Sequence, residues 1–84
     1  MSYQILLHSR ALDEFGKLPK VDYERVRDAI RKLAQDPRPP GSLQLVGRDG
    51  WHLRAGNCRL VYEIDDVLQT IAIFHVGRLR SILS

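Results

Sequence analysis

Three basic side chains lie close together in one short stretch of the chain, and their spacing suits phosphate chemistry. His52 and Arg54 alternate with apolar residues, so an extended backbone places both on one face of a strand. Arg59 follows Ala-Gly-Asn, a sequence that favours a tight turn. If the turn pairs two strands in the expected register, Arg59 joins His52 and Arg54 on the outward face. Guanidinium groups match phosphate oxygens bidentately, so this face suits a phosphate-bearing partner.

A β-hairpin over Gly50–Asp66 is the element that must position these side chains. Apolar and polar residues alternate along both of its halves, which predicts one buried face and one outward face. Trp51, Leu53 and Tyr62 are therefore expected in the core.

Some of these residues also have a purely structural interpretation. Arg59 could form a salt bridge with Glu63 or Asp65 instead of binding a ligand. His75 lies within an apolar strand, where a histidine is usually a satisfied structural residue, although it is also a candidate for proton transfer. Cys58 is next to an arginine that could lower its pKa, but without an evident partner histidine we interpret it as structural.

The rest of the chain predicts a single α+β domain over residues 1–84 with the element order β-α-α-β-β-β. The pattern predicts a strand at Tyr3–Leu7, a helix at about Arg10–Lys17 with Ser9 as its N-cap, a helix from Val21 or Asp22 to Ala34, a brief extended piece at Leu43–Val46, the hairpin, and a strand at Val67–Val76 that Gly77 ends. We expect a mainly antiparallel twisted sheet with both helices on one face and the basic residues on the other face or at its rim.

Composition sets the broad class of protein. The chain has 84 residues and a net charge of +3, which permits nucleic-acid binding without demanding it. Its single cysteine cannot form an internal disulfide, which fits a reducing cytoplasm. The longest apolar run is far shorter than the roughly 18 residues of a membrane span, so we expect no membrane partner.

Five short segments, taken in order, carry a resemblance to a known family. They are Lys17-Leu18-Pro19, the segment LAQDPRP at 33–39, the segment LVGR at 45–48, the segment LRAGNCRLVY at 53–62, and Val76-Gly77-Arg78. With these segments the chain resembles toxins of the RelE/ParE superfamily from bacterial type II toxin–antitoxin systems, and is most similar to the RelE branch.

The resemblance implies a function and a set of partners. In the RelE branch the toxin is a ribosome-dependent mRNA endoribonuclease, in which the 2′-hydroxyl of the RNA attacks the adjacent phosphate. The ParE branch inhibits DNA gyrase, which is the alternative here, together with a detoxified module that only binds its antitoxin. The implied partners are a cognate antitoxin with the ribosome and mRNA, or gyrase in the alternative. No metal or other cofactor is expected if basic side chains supply the positive charge.

The resemblance also implies roles for single residues. Arg59 would hold the scissile phosphate, and Arg54 could do likewise. His52 stands where the family carries lysine or arginine, and would act as base, acid or hydrogen-bond donor. Further basic residues are expected to bind RNA: Arg48, Arg78 and Arg80.

Four positions depart from the family pattern. Leu79 replaces a common arginine, Leu83 stands where a catalytic tyrosine is often found, and Leu43-Gln44 replaces a frequent lysine pair. Cleavage would therefore rely on His52 or His75, or would be weak or lost.

Overall fold

Two helices and five strands form the fold, and the computed structural model describes residues 2–79. The elements are β1 (Gln4–Leu7), α1 (Ser9–Gly16), α2 (Lys20–Gln35), β2 (Leu43–Gln44), β3 (Trp51–Ala55), β4 (Cys58–Asp65) and β5 (Thr70–Arg78). The strands make one sheet in the order β1-β5-β4-β3-β2. β1 and β5 are parallel, while the other neighbours are antiparallel. The predicted α+β class and element order are confirmed.

The helices begin slightly earlier than predicted. The N-cap position of α1 is His8, which makes no side-chain capping bond, so the prediction of Ser9 as the N-cap is wrong. α2 begins at Lys20 directly after Pro19, because the fixed φ of proline suits the residues at a helix start. Val26 and Leu33 of α2 are fully buried against the sheet, as their helical spacing requires.

The start of β5 differs from the predicted strand over Val67–Val76. Val67 and Leu68 are exposed residues of a turn, and their N–H groups donate to Oδ1 of Asp65 at 3.0 and 2.9 Å. These two hydrogen bonds stabilise a turn that the β-prone composition of this segment did not indicate. At the other end the strand continues through Gly77 to Arg78, so Gly77 does not end it.

A β-bulge in β5 reverses the orientation of its second half. Phe74 is an extra residue that has no partner on β4. Ile73 is buried before it and Val76 is buried after it, so the regular two-residue alternation is broken between them. As a consequence, His75 lies on the face of the sheet opposite the core.

The core lies between the helices and one face of the sheet. Tyr62 is fully buried, as predicted, and its hydroxyl donates to the carbonyl oxygen of Pro37 at 3.1 Å. Trp51 is half-buried, with the guanidinium of Arg38 lying 5.4 Å from its ring centroid. The helices of residues 2–79 are not long and apolar enough to cross a membrane.

Candidate functional site

A two-residue turn sets the register of the β3–β4 hairpin. Gly56 and Asn57 form the turn, and Gly56 has a φ of 61°, a backbone conformation that glycine adopts without strain. Ala55 pairs with Cys58 next to the turn, and Arg54 then pairs directly with Arg59. The predicted register is therefore confirmed.

Two rows of residues cross strands β3, β4 and β5 on the face opposite the core. The arginine row consists of Arg54, Arg59 and Gly77. The histidine row lies two residues farther from the hairpin turn on each strand and consists of His52, Val61 and His75. Paired residues have Cα atoms about 5 Å apart, and the rows are about 6–7 Å apart along the strands. The basic and titratable side chains of both rows therefore share one patch about 10 Å across.

Arg59 occupies the centre of this patch. Its side chain is exposed, and within residues 2–79 no carboxylate lies within salt-bridge distance of it. Of the two expected structural partners, Asp65 instead accepts the backbone N–H groups of the turn before β5, and Glu63 makes no salt bridge within residues 2–79. The guanidinium of Arg59 is thus available to a ligand.

Arg54 stands directly across from Arg59, where two like charges disfavour strand pairing. Its Nε donates to the carbonyl oxygen of Gly56 at 3.1 Å, which directs the guanidinium toward the turn. There it lines a cavity of about 390 Å³ between α2 and β3, whose charged lining from α2 consists of Arg25, Lys32 and the single acidic residue Asp28. The positive charge of the patch therefore extends around the sheet edge onto α2.

Arg25 is a residue whose position the sequence did not reveal. Its side chain lies over the hairpin turn, and a Cβ atom on Gly56 would stand 2.6 Å from the Arg25 Cδ. A helix residue 31 positions away thus contributes positive charge beside the arginine row.

His52 is the second residue of β3 and lies two residues before Arg54. It is half-buried and pairs with Val61 of β4 on one side and Leu43 of β2 on the other. This position places it on the same face as Arg54 and Arg59, as the alternation predicted.

Arg78 points in a different direction from the arginine row. It pairs with Cys58, whose side chain is buried on the helix side of the sheet. The Nε atom of Arg78 lies 3.5 Å from Oδ2 of Asp22 in the first turn of α2. The bulge at Phe74 causes this orientation, since it reverses the alternation of β5.

The remaining predicted RNA-binding residues are not brought to the arginine row either. Arg48 lies in the exposed loop between β2 and β3, at the opposite end of β3 from Arg54. Arg80 lies outside the described residues. The roles of these residues, like that of Arg78, stay predictions.

His75 and Glu14 form a pair that has no signal in the sequence, because 61 positions separate them. Nδ1 of His75 lies 2.9 Å from each carboxylate oxygen of Glu14 at the end of α1. Oε1 of Glu14 also accepts the N–H of Val76 at 3.0 Å. Burial alone would raise the pKa of Glu14, but the hydrogen bonds from Val76 and His75, with the charges of His75 and Arg10, hold that pKa below its ordinary value.

Cys58 does not belong to the patch. It is fully buried in the core, and burial, followed by the charge of Asp22, raises the pKa of its thiol. Its interpretation as a structural residue agrees with this environment. Across residues 2–79, no three His, Cys, Asp or Glu side chains gather as metal ligands would.

Comparison with known proteins identifies the family to which this chain is similar. The family model described as the ParE toxin of the type II toxin–antitoxin system parDE matches residues 5–82. A protein of Escherichia coli described as a RelE-like toxin is 31% identical over 80 residues, which are 93% of this chain and 84% of that protein.

Solved structures show the same fold. The isolated RelE toxin of Escherichia coli has a TM-score of 0.83 at 26% identity, covering 98% of this chain and 90% of that one. The toxin–antitoxin complex RelBE2 of Mycobacterium tuberculosis has a TM-score of 0.82 at 26% identity, covering 93% of this chain and 99% of that one. With a family match over nearly its whole length, the chain belongs to the ParE toxin family and is a type II toxin of the RelE/ParE superfamily.

Proposed function

We propose that this toxin is a ribosome-dependent mRNA endoribonuclease. One observation carries the proposal: Arg54 and Arg59 lie directly opposite each other on an exposed face, and within residues 2–79 neither has a carboxylate partner. Two adjacent like charges disfavour the free hairpin, and an anion between them relieves that repulsion. A phosphodiester group is an anion of suitable size and geometry for two guanidinium groups.

The side chains of the patch would each serve one step of the cleavage reaction. The 2′-hydroxyl of one nucleotide attacks the adjacent phosphorus, and the bond from phosphorus to the 5′-oxygen breaks. Negative charge develops on the phosphate oxygens during this step, and Arg54 and Arg59 would stabilise it. His52, in the neighbouring row, would act as base, acid or hydrogen-bond donor. The products are a 2′,3′-cyclic phosphate and a 5′-hydroxyl end.

The ribosome would supply the geometry that so small a protein lacks. Holding the mRNA in a fixed conformation beside the patch makes the attack effectively unimolecular. The positive charge that continues through Arg25 and Lys32 would guide the toxin to ribosomal RNA.

A cognate antitoxin is the second proposed partner. The similar structure from Mycobacterium tuberculosis is itself a toxin–antitoxin complex, which supports the same assembly here. We expect the product of an adjacent small reading frame to copurify with this chain and to suppress its effect on growth. Absence of a complex when the two are coexpressed would contradict this part of the proposal.

A translation extract programmed with one defined mRNA tests the activity. With purified toxin and ribosomes, primer extension should reveal new 5′ ends inside the coding region, and these ends should be absent without ribosomes. An intact message with unaffected translation would overturn the proposal.

Inhibition of DNA gyrase is the second candidate function. The observation that favours it is the match to the model of ParE toxins over residues 5–82. In that case the toxin should stabilise gyrase–DNA cleavage complexes with purified gyrase and leave mRNA intact. Overexpression without any effect on growth would instead support a detoxified antitoxin-binding module.

A further inference from the structure

The Glu14–His75 pair stands beside the arginine row but has no part in the function described above. His75 is held at Nδ1, which lies 2.9 Å from the carboxylate of Glu14. Because the pKa of Glu14 is lowered, its carboxylate is ionised at neutral pH and can only accept hydrogen bonds. Nδ1 is therefore the ring nitrogen that donates to Glu14, which leaves Nε2 as the nitrogen that can accept a proton.

The carboxylate that orients His75 is itself held in place. Its Oε1 accepts the N–H of Val76, and its Oε2 lies 3.4 Å from Nε of Arg10. Glu14 belongs to the last turns of α1, a helix whose Ala11 is fully buried against the core. The ring of His75 is thus positioned by a rigid element rather than by a loop.

The free nitrogen of His75 lies next to the arginine row. A Cβ atom on Gly77 would stand 2.5 Å from Nε2, so the ring extends over Gly77. Gly77 pairs directly with Arg59, whose backbone is therefore one strand spacing away, about 5 Å. Only glycine leaves room for the ring here. The side chain of His75 is 33% exposed, so a substrate can reach it.

We propose that His75 is the general base of the cleavage reaction and that Glu14 is its positioning residue. The inference rests on the proposed endoribonuclease function. Nε2 of His75 takes the proton of the 2′-hydroxyl as the oxygen forms its bond to phosphorus. The bond to the 5′-oxygen breaks, and that oxygen takes a proton from water. The imidazolium of His75, stabilised by Glu14, then returns its proton to solvent.

This assignment accounts for a histidine that packing alone does not require. The bulge at Phe74 turns His75 out of the core and toward the patch that contains Arg59. Charged and titratable groups on the elements packed near the ring are Glu14 and Arg10 from α1, His8, whose ring is tilted against Phe74, and Arg59 and His52 from the sheet face.

The test measures single-turnover cleavage of a defined mRNA on programmed ribosomes as a function of pH. His75→Asn keeps a donor toward Glu14 but has no base, and we expect its rate to fall by at least about 100-fold. In wild type the cleavage rate should rise with pH as the base loses its proton, and this rise should be absent in His75→Asn. Added imidazole should partly restore cleavage by His75→Ala but not by Arg59→Ala. Glu14→Gln should lower the rate less than the His75 variants do.

Two controls separate a catalytic role from a structural one. His8→Ala removes a histidine whose ring packs on Phe74, and this variant should keep the wild-type pH profile. Binding of the two His75 variants to programmed ribosomes should stay close to wild type, and circular dichroism should show that both are folded. If wild type cleaves and His75→Asn cleaves equally well with the same pH profile, the role of His75 is overturned and the proposed function survives. If wild type does not cleave at all, both are overturned.

Discussion

Substituting Gly77 by alanine should destabilise the protein only when His75 is present. A Cβ atom at position 77 would stand 2.5 Å from Nε2 of the His75 ring, 3.1 Å from Cε1 and 3.4 Å from Cδ2. Ordinary contacts of such an atom are 3.4–4 Å, so the ring must move by about 1 Å. It cannot swing away freely, because Nδ1 is bound to Glu14 at 2.9 Å.

Two opposing effects determine how much Gly77→Ala changes the free energy of unfolding. Overpacking of this kind costs about 1–3 kcal/mol, and the lower half of that range applies because the His75 side chain is one-third exposed. Replacing a strand glycine by alanine without a clash stabilises by about 0.5–1 kcal/mol. We therefore expect Gly77→Ala to lower the free energy of unfolding by up to about 1.5 kcal/mol in wild type. In a His75→Ala background it should raise this free energy instead.

Urea unfolding followed by circular dichroism measures both effects. Four proteins complete the cycle: wild type, the two single variants and the double variant. The expected coupling between the positions is about 1–2 kcal/mol. The same change in stability for Gly77→Ala in both backgrounds would refute the placement of the His75 ring over Gly77.

Three further predictions concern hydrogen bonds and pH. The folded pKa of Glu14 is lowered, so its contribution to stability is present above about pH 4.3 and is lost as the pH falls through the folded pKa; Glu14→Gln should flatten the acid limb of a thermal-unfolding profile. Hydrogen bonds from Arg38 and Tyr3 lower the pKa of Asp66, so Asp66→Asn should lower the melting temperature at pH 7, and this difference should shrink as the pH falls through the folded pKa of Asp66. Tyr62→Phe leaves the Pro37 carbonyl without its hydroxyl partner and should cost about 1 kcal/mol in urea unfolding, whereas an unchanged midpoint would show that water replaces the bond.

The sequence was sufficient where local rules decide the structure. The Ala-Gly-Asn turn and the alternation around it predicted that Arg54 and Arg59 would share a face with His52, and the pairing of Arg54 with Arg59 follows directly. The helix spacing of Val26 and Leu33 likewise predicted which face of α2 would be buried.

Features that depend on distant contacts could not be predicted. Val67 and Leu68 looked like strand residues, but Asp65 holds them in a turn. The bulge at Phe74 has no sequence signature, yet it turns His75 toward the patch.

The position of Arg78 follows from the same bulge. Its proximity to Asp22 depends on the reversed alternation of β5 and on the packing of α2 against the sheet. Neither could be read from the local sequence around Arg78.

The most direct test of the central claim compares two variants that remove the same charge. Arg59→Ala removes the arginine at the centre of the patch, and Arg31→Ala removes an exposed arginine of α2 outside both rows. On programmed ribosomes, we expect Arg59→Ala to reduce the single-turnover rate of mRNA cleavage by at least about 100-fold and Arg31→Ala to change it little. Arg59→Lys should recover only part of the loss, because lysine keeps the charge without the bidentate geometry. Wild-type cleavage by a well-folded Arg59→Ala variant would contradict the account.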